Sequence, residues 1–521
     1  MEDALNKDPY LHVGRASDLT GRNRTIYRAL EILPGLLSFG TLFGLVALSF
    51  FAPALAAYFT ILFSGYWVFK TIFLSIHLWH NFKRLRHNMQ VDWQARLSNF
   101  KYQDILHVVI FPFANEPYEV LFESISALAN SRFPKKQIAV VIASEERAGE
   151  SAAQTAERLQ ALFKDQFADV IVTVHPKGTP GELPGKGSNI AYAAKEAKER
   201  ILDARGIPYE KAIVSAFDVD TVAYPDYFAC LTWYFLTEDD PLHASFQPVP
   251  LYNNNIWNAP VLSRVLAYSS TFWQMIQQEM PERLTTFSSH AVSMQALVDG
   301  GYWQKNIVSE DSRIFFNLFI HYDGNYRVVP ISYPVSMDAN VSKSWLSTIG
   351  SLYKQHRRWS YGAENIPYML FNFSHNRHIP FRKKLRLSYV QIEGFWSLAT
   401  HPLILFAVGW LPLFIGGHTF NATVLSYNLP IVATWFLTIA MSGLVVSSVF
   451  FMYLVPRRPE EHSWRRSIIM ALQWILVPLT MVIFSAIPGL DAQIRLFLGK
   501  YLGFWVTPKN RPASPLPQKS A

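Results

Sequence analysis

The sequence predicts an α/β protein: a mostly parallel sheet domain over residues 100–345, set between blocks of membrane-spanning α-helices. Three observations lead there. Half of the 521 residues are hydrophobic and only 17% are charged, well under the roughly 25% of soluble chains. The apolar residues gather into long runs near both ends of the chain, with basic residues at their borders. Between those runs, short continuous apolar stretches alternate with helical ones, the pattern of a parallel sheet covered on both faces. The net charge of +8 follows the borders of the apolar runs, which marks a lipid surface rather than nucleic acid. The single cysteine, Cys230, excludes a disulfide framework within the chain, a cysteine-rich zinc site and an iron–sulfur cluster.

Residues 1–30 are polar and mixed in charge and read as a cytoplasmic segment. The apolar run that follows is too long for the core of a cleavable signal peptide. Runs 33–51 and 54–79, split at Pro53, each supply the roughly 20 apolar residues a spanning helix needs, giving a two-helix block over 31–80. Arg22, Arg24 and Arg28 precede it and Lys83, Arg84 and Arg86 follow, while the turn between is uncharged. The positive-inside rule then puts both flanks, and the domain that follows, in the cytoplasm.

In that domain, 105–113, 137–143, 169–174 and 212–217 read as buried strands, and 119–130, 147–163, 189–204 and 226–236 as the helices between them. Interfacial helices are expected over 346–390. A second pair of spans, 392–415 and 429–454, fills 391–455. Within 466–503, the apolar run 468–490 is basic at both ends and carries Pro478 near its middle. It reads as a bent re-entrant or in-plane element, with a plain fifth span as the alternative. Residues 504–521 close the chain as an aromatic, basic segment and a tail.

Ligands in such sheets bind beyond the carboxyl ends of the strands. Asp218 and Asp220 stand there, directly after the strand 212–217. Two carboxylates one residue apart can hold a hard cation such as Mg²⁺ or Mn²⁺ and leave positions open for phosphate oxygens; equally, Asp is common in the solvated turns after strands. Glu310 and Asp311 open an apolar run, where a carboxylate serves as a helix cap or as a general base toward a hydroxyl. Gln355, Arg358 and Trp359 lie on a basic stretch leading to the second membrane block. Arg can grip a diphosphate in two places and Trp can offer a flat face to a sugar ring, although the same stretch suits a headgroup-level amphipathic helix. Near the C-terminus, Phe504-Trp505-Val506-Thr507-Pro508-Lys509 is an aromatic, basic segment beside the membrane.

Taken in order, these motifs resemble the processive, membrane-integrated family-2 glycosyltransferases, the group of the cellulose, hyaluronan and chitin synthases. That family carries Asp-x-Asp, a Glu-Asp pair and Gln-x-x-Arg-Trp in one cytoplasmic domain, as Asp218/Asp220, Glu310-Asp311 and Gln355/Arg358/Trp359 stand here. The segment from Phe504 through Val506 and Thr507 to Lys509 is similar to the gating loop of cellulose synthases. Pro112 to Glu116 resembles the Pro-x-x-Asn-Glu of strand one, and Pro184 to Asn189 a nucleotide-contacting Lys/Gly/Asn segment.

The resemblance implies a nucleotide-sugar-binding, GT-A-like domain in a multi-pass protein of the plasma (inner) membrane. It implies inverting, metal-dependent transfer of a hexose from a nucleotide-sugar, UDP favoured over GDP, to a growing polysaccharide. Export of the polymer, with or without partner subunits, is left open. Addition of a single sugar to a lipid or short acceptor is the alternative. A catalytically silent scaffold would require loss of Asp218, Asp220 or Asp311, and all three are present. By the resemblance, Asp218 and Asp220 hold metal and diphosphate, Asp311 is the base with Glu310 beside it, and Gln355, Arg358 and Trp359 hold diphosphate and acceptor. Glu116, Glu145 and Lys186 contact the nucleotide, and Phe504, Val506, Thr507 and Lys509 form the gate. Three segments depart from the family pattern: Ser144-Glu145-Glu146, Phe246-Gln247-Pro248, and Ser288 to Val292, which contains His290.

Overall fold

The computed structural model describes residues 8–460 and 462–508. Eight strands form one sheet: β1 (Leu106–Phe113), β2 (Ile138–Glu145), β3 (Asp169–His175), β4 (Ala212–Ala216), β5 (Val222–Ala223), β6 (Ala244–Leu251), β7 (Ala291–Ser293) and β8 (Arg327–Ser336). Their order is β3-β2-β1-β4-β7-β6-β8-β5. β3, β2, β1 and β4 run parallel, β7 is antiparallel to both β4 and β6, and β8 is parallel to β6. This is the expected mostly parallel, GT-A-like α/β class.

β1 and β2, inside the sheet, are buried along their whole length because both of their faces are covered, whereas β3 at the edge is buried only in part. In β1, Val108 and Ile110 enter one core while Val109, Phe111 and Phe113 enter the other; in β2, Ala139 and Val141 face the first and Val140 and Ile142 the second. The first core also takes Leu11, Val13, Ala16 and Tyr27. The chain ahead of the first membrane helix is therefore built into the sheet domain. The four expected strands all form, whereas the short β5 and β7 and the longer β6 and β8 were not foreseen. The prolines of the longer two, Pro248, Pro250, Pro330 and Pro334, mask the strand pattern, and the β6–β8 register shifts beside Pro248, between Gln247 and Val249.

Helices α1 (Gly21–Phe51) and α2 (Pro53–Asn88) are parted at Pro53, which opens α2 where its missing N–H costs nothing. Both outrun the predicted spans. At about 1.5 Å per residue, α2 reaches past the apolar stretch and docks on the sheet, where Asn88 Nδ2 donates to the carbonyls of Ile331 and Ser332 at 3.1 and 3.2 Å. Helices α3 (Tyr118–Ala129), α4 (Glu150–Phe163), α5 (Lys186–Ala197) and α6 (Tyr227–Thr237) cover the parallel strands, followed by α7 (Val261–Gln278), α8 (Glu310–His321), α9 (Trp345–Ser360) and α10 (Asn365–His375).

The C-terminal block comprises α11 (Phe381–Phe406), α12 (Val424–Leu454), α13 (Trp464–Leu472) and α14 (Ile487–Phe497). Among the described residues, four helices are long and apolar enough to cross a membrane: α1, α2, α12 and the stretch Trp464–Phe497 that runs from α13 through α14. A fifth arises if α11 and the short helix after it count as one span bent by 44°. That bend falls at Ala407, and its freed carbonyls find donors: Trp410 Nε1 reaches Leu405 O at 2.8 Å and Thr60 Oγ1 reaches Gly409 O at 3.1 Å.

The stretch Trp464–Phe497 changes helix type around Gln473–Leu476 and again at Val482–Ala486. Its start touches the sheet domain and its end touches α9. Near the start, Arg466 donates to Trp257 O and Arg264 Nε to Gln473 Oε1 at 2.8 Å. Near the end, Asp491 Oδ2 accepts from Tyr353 and Arg357 at 3.0 Å each. Met470, Trp474 and Phe484 are buried, while Ile468, Leu472, Ile475, Leu479, Ile483 and Ile487 are exposed, an apolar face of the kind lipid covers.

Ile142 lies wholly inside the second core. Ile142→Ala should cost about 2–5 kcal/mol and Ile142→Val about 0.5–1.5 kcal/mol, ranked by the denaturant midpoint of the protein in detergent.

Candidate active site

The turn after β4 carries both aspartates to the carboxyl edge of the sheet, beside the point where the strand order reverses between β1 and β4. Asp220 is fully buried, and its Oδ2 accepts the Asp338 N–H at 2.8 Å. Asp218 is partly open: its Oδ2 accepts from Ser288 Oγ at 2.7 Å and its Oδ1 from Lys186 Nζ at 2.5 Å. The same ammonium donates to Asp311 Oδ1 at 2.9 Å and Oδ2 at 3.0 Å. One cation thus joins the turn after β4 to the first turn of α8. Burial works against the charge on Lys186, but Asp218 and then Asp311 outweigh it and raise the pKa above the ordinary lysine value. Gly187 lets α5 come this close, since a Cβ there would lie 3.1 Å from Glu310 Cβ and from Gln304 O. Glu310 is buried next to Asp311, and its pKa is raised first by burial and then by that neighbour.

Behind the aspartates the loop at 286–290 is fixed from several sides. Gln247 Oε1 accepts the Phe287 N–H at 2.8 Å, and its Nε2 donates to Ser288 O at 3.1 Å. Trp303 Nε1 donates to His290 Nε2 at 3.1 Å, leaving Nδ1 to donate to Phe287 O at 2.7 Å. Both nitrogens of this buried ring are spent on the fold, and burial lowers its pKa. His290 is therefore a structural residue in this conformation.

Helix α9 presents Gln355, Arg358 and Trp359. Gln355 Oε1 accepts from Asn340 Nδ2 at 3.0 Å. Trp359 is 39% exposed and lines a narrow cleft with Tyr252, Leu266, Leu352 and Gln355. Tyr252 feels the charges of Asp218 and Asp220, which sets this cleft beside the aspartate pair. Arg358 lies over the Phe504 ring, 4.9 Å from its centroid. Its Nε is enclosed, with no hydrogen-bond partner among the described residues.

The C-terminal loop returns to the same place. Tyr501, Leu502 and Phe504 pack with Leu183, Val308 and Tyr361. Val506 is half-buried and Thr507 buried; Lys509 lies outside the described residues. The loop is anchored by Glu31 of α1, whose buried carboxylate accepts from Tyr501 OH at 3.0 Å, from Arg28 Nη1 at 2.5 Å and from Ala16 N at 3.0 Å. Arg28 also holds the C-terminal carbonyls of α14, Leu496 O at 2.9 Å and Phe497 O.

Glu116 and Glu145 stand apart from these contacts, at the carboxyl ends of β1 and β2. Glu116 Oε2 accepts the Ala114 N–H at 2.7 Å. The Glu145 carboxylate is taken by Arg147 at 2.6 and 2.8 Å. The structure thus gathers Lys186, Asp218, Asp311, Arg358 and Phe504, with Asp220 and Glu310 beside them. The sequence singles out Ser288 only as part of a segment that departs from the family pattern, and gives no sign of the anchor made by Glu31 and Tyr501, which works through partners distant in the chain.

The family model described as glycosyl transferase family group 2 matches residues 213–487, more than half of the chain. The chain belongs to that family. The matched span of this family-2 glycosyltransferase starts in β4 and includes both acidic pairs and α9. Among solved structures it is similar to the mannosyltransferase PcManGT of Pyrobaculum calidifontis in complex with GDP-Man and Mn²⁺, at 12% identity and a TM-score of 0.43, over 85% of this chain and 99% of that one. It is also similar to residues 1–349 of S. aureus TarS, at 14% identity and a TM-score of 0.34, over 67% of this chain and 91% of that one. The same TarS fragment in complex with UDP-GlcNAc matches at 15% identity and a TM-score of 0.30, over 67% of this chain and 91% of that one. No curated protein matches the chain. The family assignment rests on the family model.

Gly185 has a φ of +148°, and a Cβ on it would lie 2.5 Å from Phe504 Cγ. Gly185→Ala should therefore displace the 501–508 loop. Limited proteolysis of the protein in detergent should then cut this loop faster than in wild type, with the rest of the digestion pattern unchanged.

Proposed function

We propose that this glycosyltransferase works at the cytoplasmic face of the membrane, transferring a hexose from a nucleotide-sugar to a growing polysaccharide with inversion at the anomeric carbon. The observation that carries this reading is the single Lys186 ammonium shared by Asp218 and Asp311. It supports the reading because Asp218, suited to the donor diphosphate, and Asp311, suited to the acceptor hydroxyl, share one cation. In the transfer, the bond from the anomeric carbon to the diphosphate breaks while a bond to the acceptor oxygen forms on the opposite face. Asp311 takes the acceptor proton, and no covalent enzyme intermediate is needed. Lys186 and Arg358, whose enclosed Nε–H seeks an acceptor, stabilise the departing diphosphate. Gln355 and Trp359 hold the acceptor in the cleft, and the loop from Phe504 through Val506 and Thr507 closes over the donor.

A divalent cation fits this donor set. Asp218 and Asp220 offer hard carboxylate oxygens, and no group of three His, Cys, Asp or Glu gathers among the described residues. Mg²⁺ or Mn²⁺ held by this pair would complete its coordination with phosphate oxygens and water. When bound, it supplies charge stabilisation to the leaving diphosphate. Glu116 and Glu145 stand at the strand ends where a nucleobase would lie, with UDP favoured over GDP. The exposed apolar face of Trp464–Phe497 supports an in-plane placement of that stretch in the cytoplasmic leaflet, since its start meets the sheet domain and its end meets α9. Phe484, on the buried side of that stretch, packs with Leu266 and Leu352 of the cleft. A lipid-exposed element against the cleft favours, as a second reading, a single sugar added to a lipid acceptor.

The test uses purified protein in lipid nanodiscs with Mg²⁺ or Mn²⁺, given radiolabelled UDP-glucose, UDP-N-acetylglucosamine and GDP-mannose in turn. A high-molecular-weight product from one donor is expected, whereas one sugar on a lipid would favour the second reading. Failure of transfer from every donor would overturn the proposal. Asp311→Asn should keep donor binding and lose transfer by about 100-fold or more, the size of a general-base contribution. Asp220→Asn should in addition weaken metal-dependent donor binding, read by titrating the donor with and without EDTA.

A further inference from the structure

Helix α8, which carries Glu310 and Asp311, begins without a cap of its own. Its N-cap residue, Ser309, makes no side-chain capping bond within the helix. The hydroxyl points outward instead and donates to Glu364 Oε1 at 2.6 Å, while the Ser309 and Val308 N–H groups reach the same oxygen at 3.1 and 3.3 Å. One carboxylate oxygen from outside thus serves three donors at the start of α8, where the helix field favours a negative charge.

Glu364 is itself 6% exposed. It ends the turn Tyr361–Glu364 that directly follows α9, the helix of Gln355, Arg358 and Trp359. A second tether runs beside the first. Arg313, fully buried one half-turn beyond Asp311, donates through Nε to Asn365 Oδ1 at 2.6 Å and through Nη2 to Glu364 O at 3.2 Å. Asn365 returns a bond from Nδ2 to Ser312 Oγ at 2.9 Å. Burial raises the Glu364 pKa, while Arg313 and the bonds from Ser309 and Val308 hold it down. All of these contacts join two segments, 308–313 and 364–365, that meet only in the folded protein.

We propose that Glu364 is a positioning residue for sugar transfer: by holding the start of α8 against the end of α9, it sets Asp311 in register with Arg358 and Trp359. The role rests on Asp311 being the base of the reaction proposed above. The Glu364 carboxylate is spent on Ser309 and Val308 at the start of α8, so its loss should act on the chemical step and spare donor binding. A displacement of about 1 Å at a reacting group costs roughly 100-fold in rate, and that is the expected fall in kcat for Glu364→Ala. The donor KM should stay within about twofold. Glu364→Gln keeps a carbonyl oxygen for the three donors and should restore most of the lost kcat.

The experiment has two arms on the full-length protein in nanodiscs. In the first, hydrogen–deuterium exchange is followed over residues 306–312. Glu364→Ala should speed exchange there while Glu364→Gln does not, and equal exchange in wild type and Glu364→Ala would overturn the anchoring. In the second, kcat and donor KM are measured with the donor that the wild type turns over, for Glu364→Ala, Glu364→Gln, Ser309→Ala and the Glu364→Ala/Ser309→Ala pair. Losses that fail to add in the double variant support the role. An unchanged kcat in Glu364→Ala, or a kcat and KM that worsen together without rescue by Gln, would overturn it. If Glu364→Ala does not fold, Ser309→Ala and Glu364→Gln carry the same comparison. A wild type that transfers nothing would overturn the catalytic reading and this role with it, while the exchange result would still report on the anchor.

Discussion

Lys186 puts one positive charge between two carboxylates that reach the site from different layers of the domain. Asp218 comes from the turn after β4 and Asp311 from the first turn of α8, and without the ammonium they would face each other as like charges in a partly buried space. The contact needs α5 to start close against α8, and Gly187 makes that approach possible. It needs β4 at the strand-order reversal, where the sheet opens beyond its carboxyl edge. It also needs the loop at 286–290, pinned by Gln247 and Trp303, to hold Ser288 against the second oxygen of Asp218.

The long apolar helices are joined to this site rather than merely attached to the domain. α2 runs into the sheet through Asn88, and the segment before α1 fills part of the first core. Glu31 and Arg28, at the start of α1, clamp the loop that carries Phe504 and the end of α14. α1 and the loop over Gly185 are thus joined directly through the Glu31–Tyr501 contact. The stretch Trp464–Phe497 adds a second mechanical link, since its buried side forms part of the wall around the α7–α9 cleft and its other side is apolar and open.

Much of this was legible in the order of residues. Strands β1 to β4 announce themselves as short, mainly apolar runs of the kind that strands covered on both faces require. The acidic pairs and the Gln355/Arg358/Trp359 group were visible because their spacing is local. β6 and β8 were not, since prolines interrupt them and their partners are remote. Among the site residues, Lys186 was read as a nucleotide contact, and only the folded chain brings it between Asp218 and Asp311. Glu31, Tyr501 and Glu364 carry no local signature at all, because a glutamate or a tyrosine hydroxyl means nothing until its partner is known.

The sequence alone determined the class of the protein: apolar runs at both ends, a parallel α/β core, and acidic pairs at strand and helix ends, all set by short-range periodicity and spacing. Tertiary structure decided which of those charges meet. Coulombic and hydrogen-bond contacts act over a few ångströms, so the sharing of Lys186 by Asp218 and Asp311, the cap that Glu364 lends to Ser309 and the hold of Glu31 on Tyr501 exist only once residues far apart in the chain are packed together.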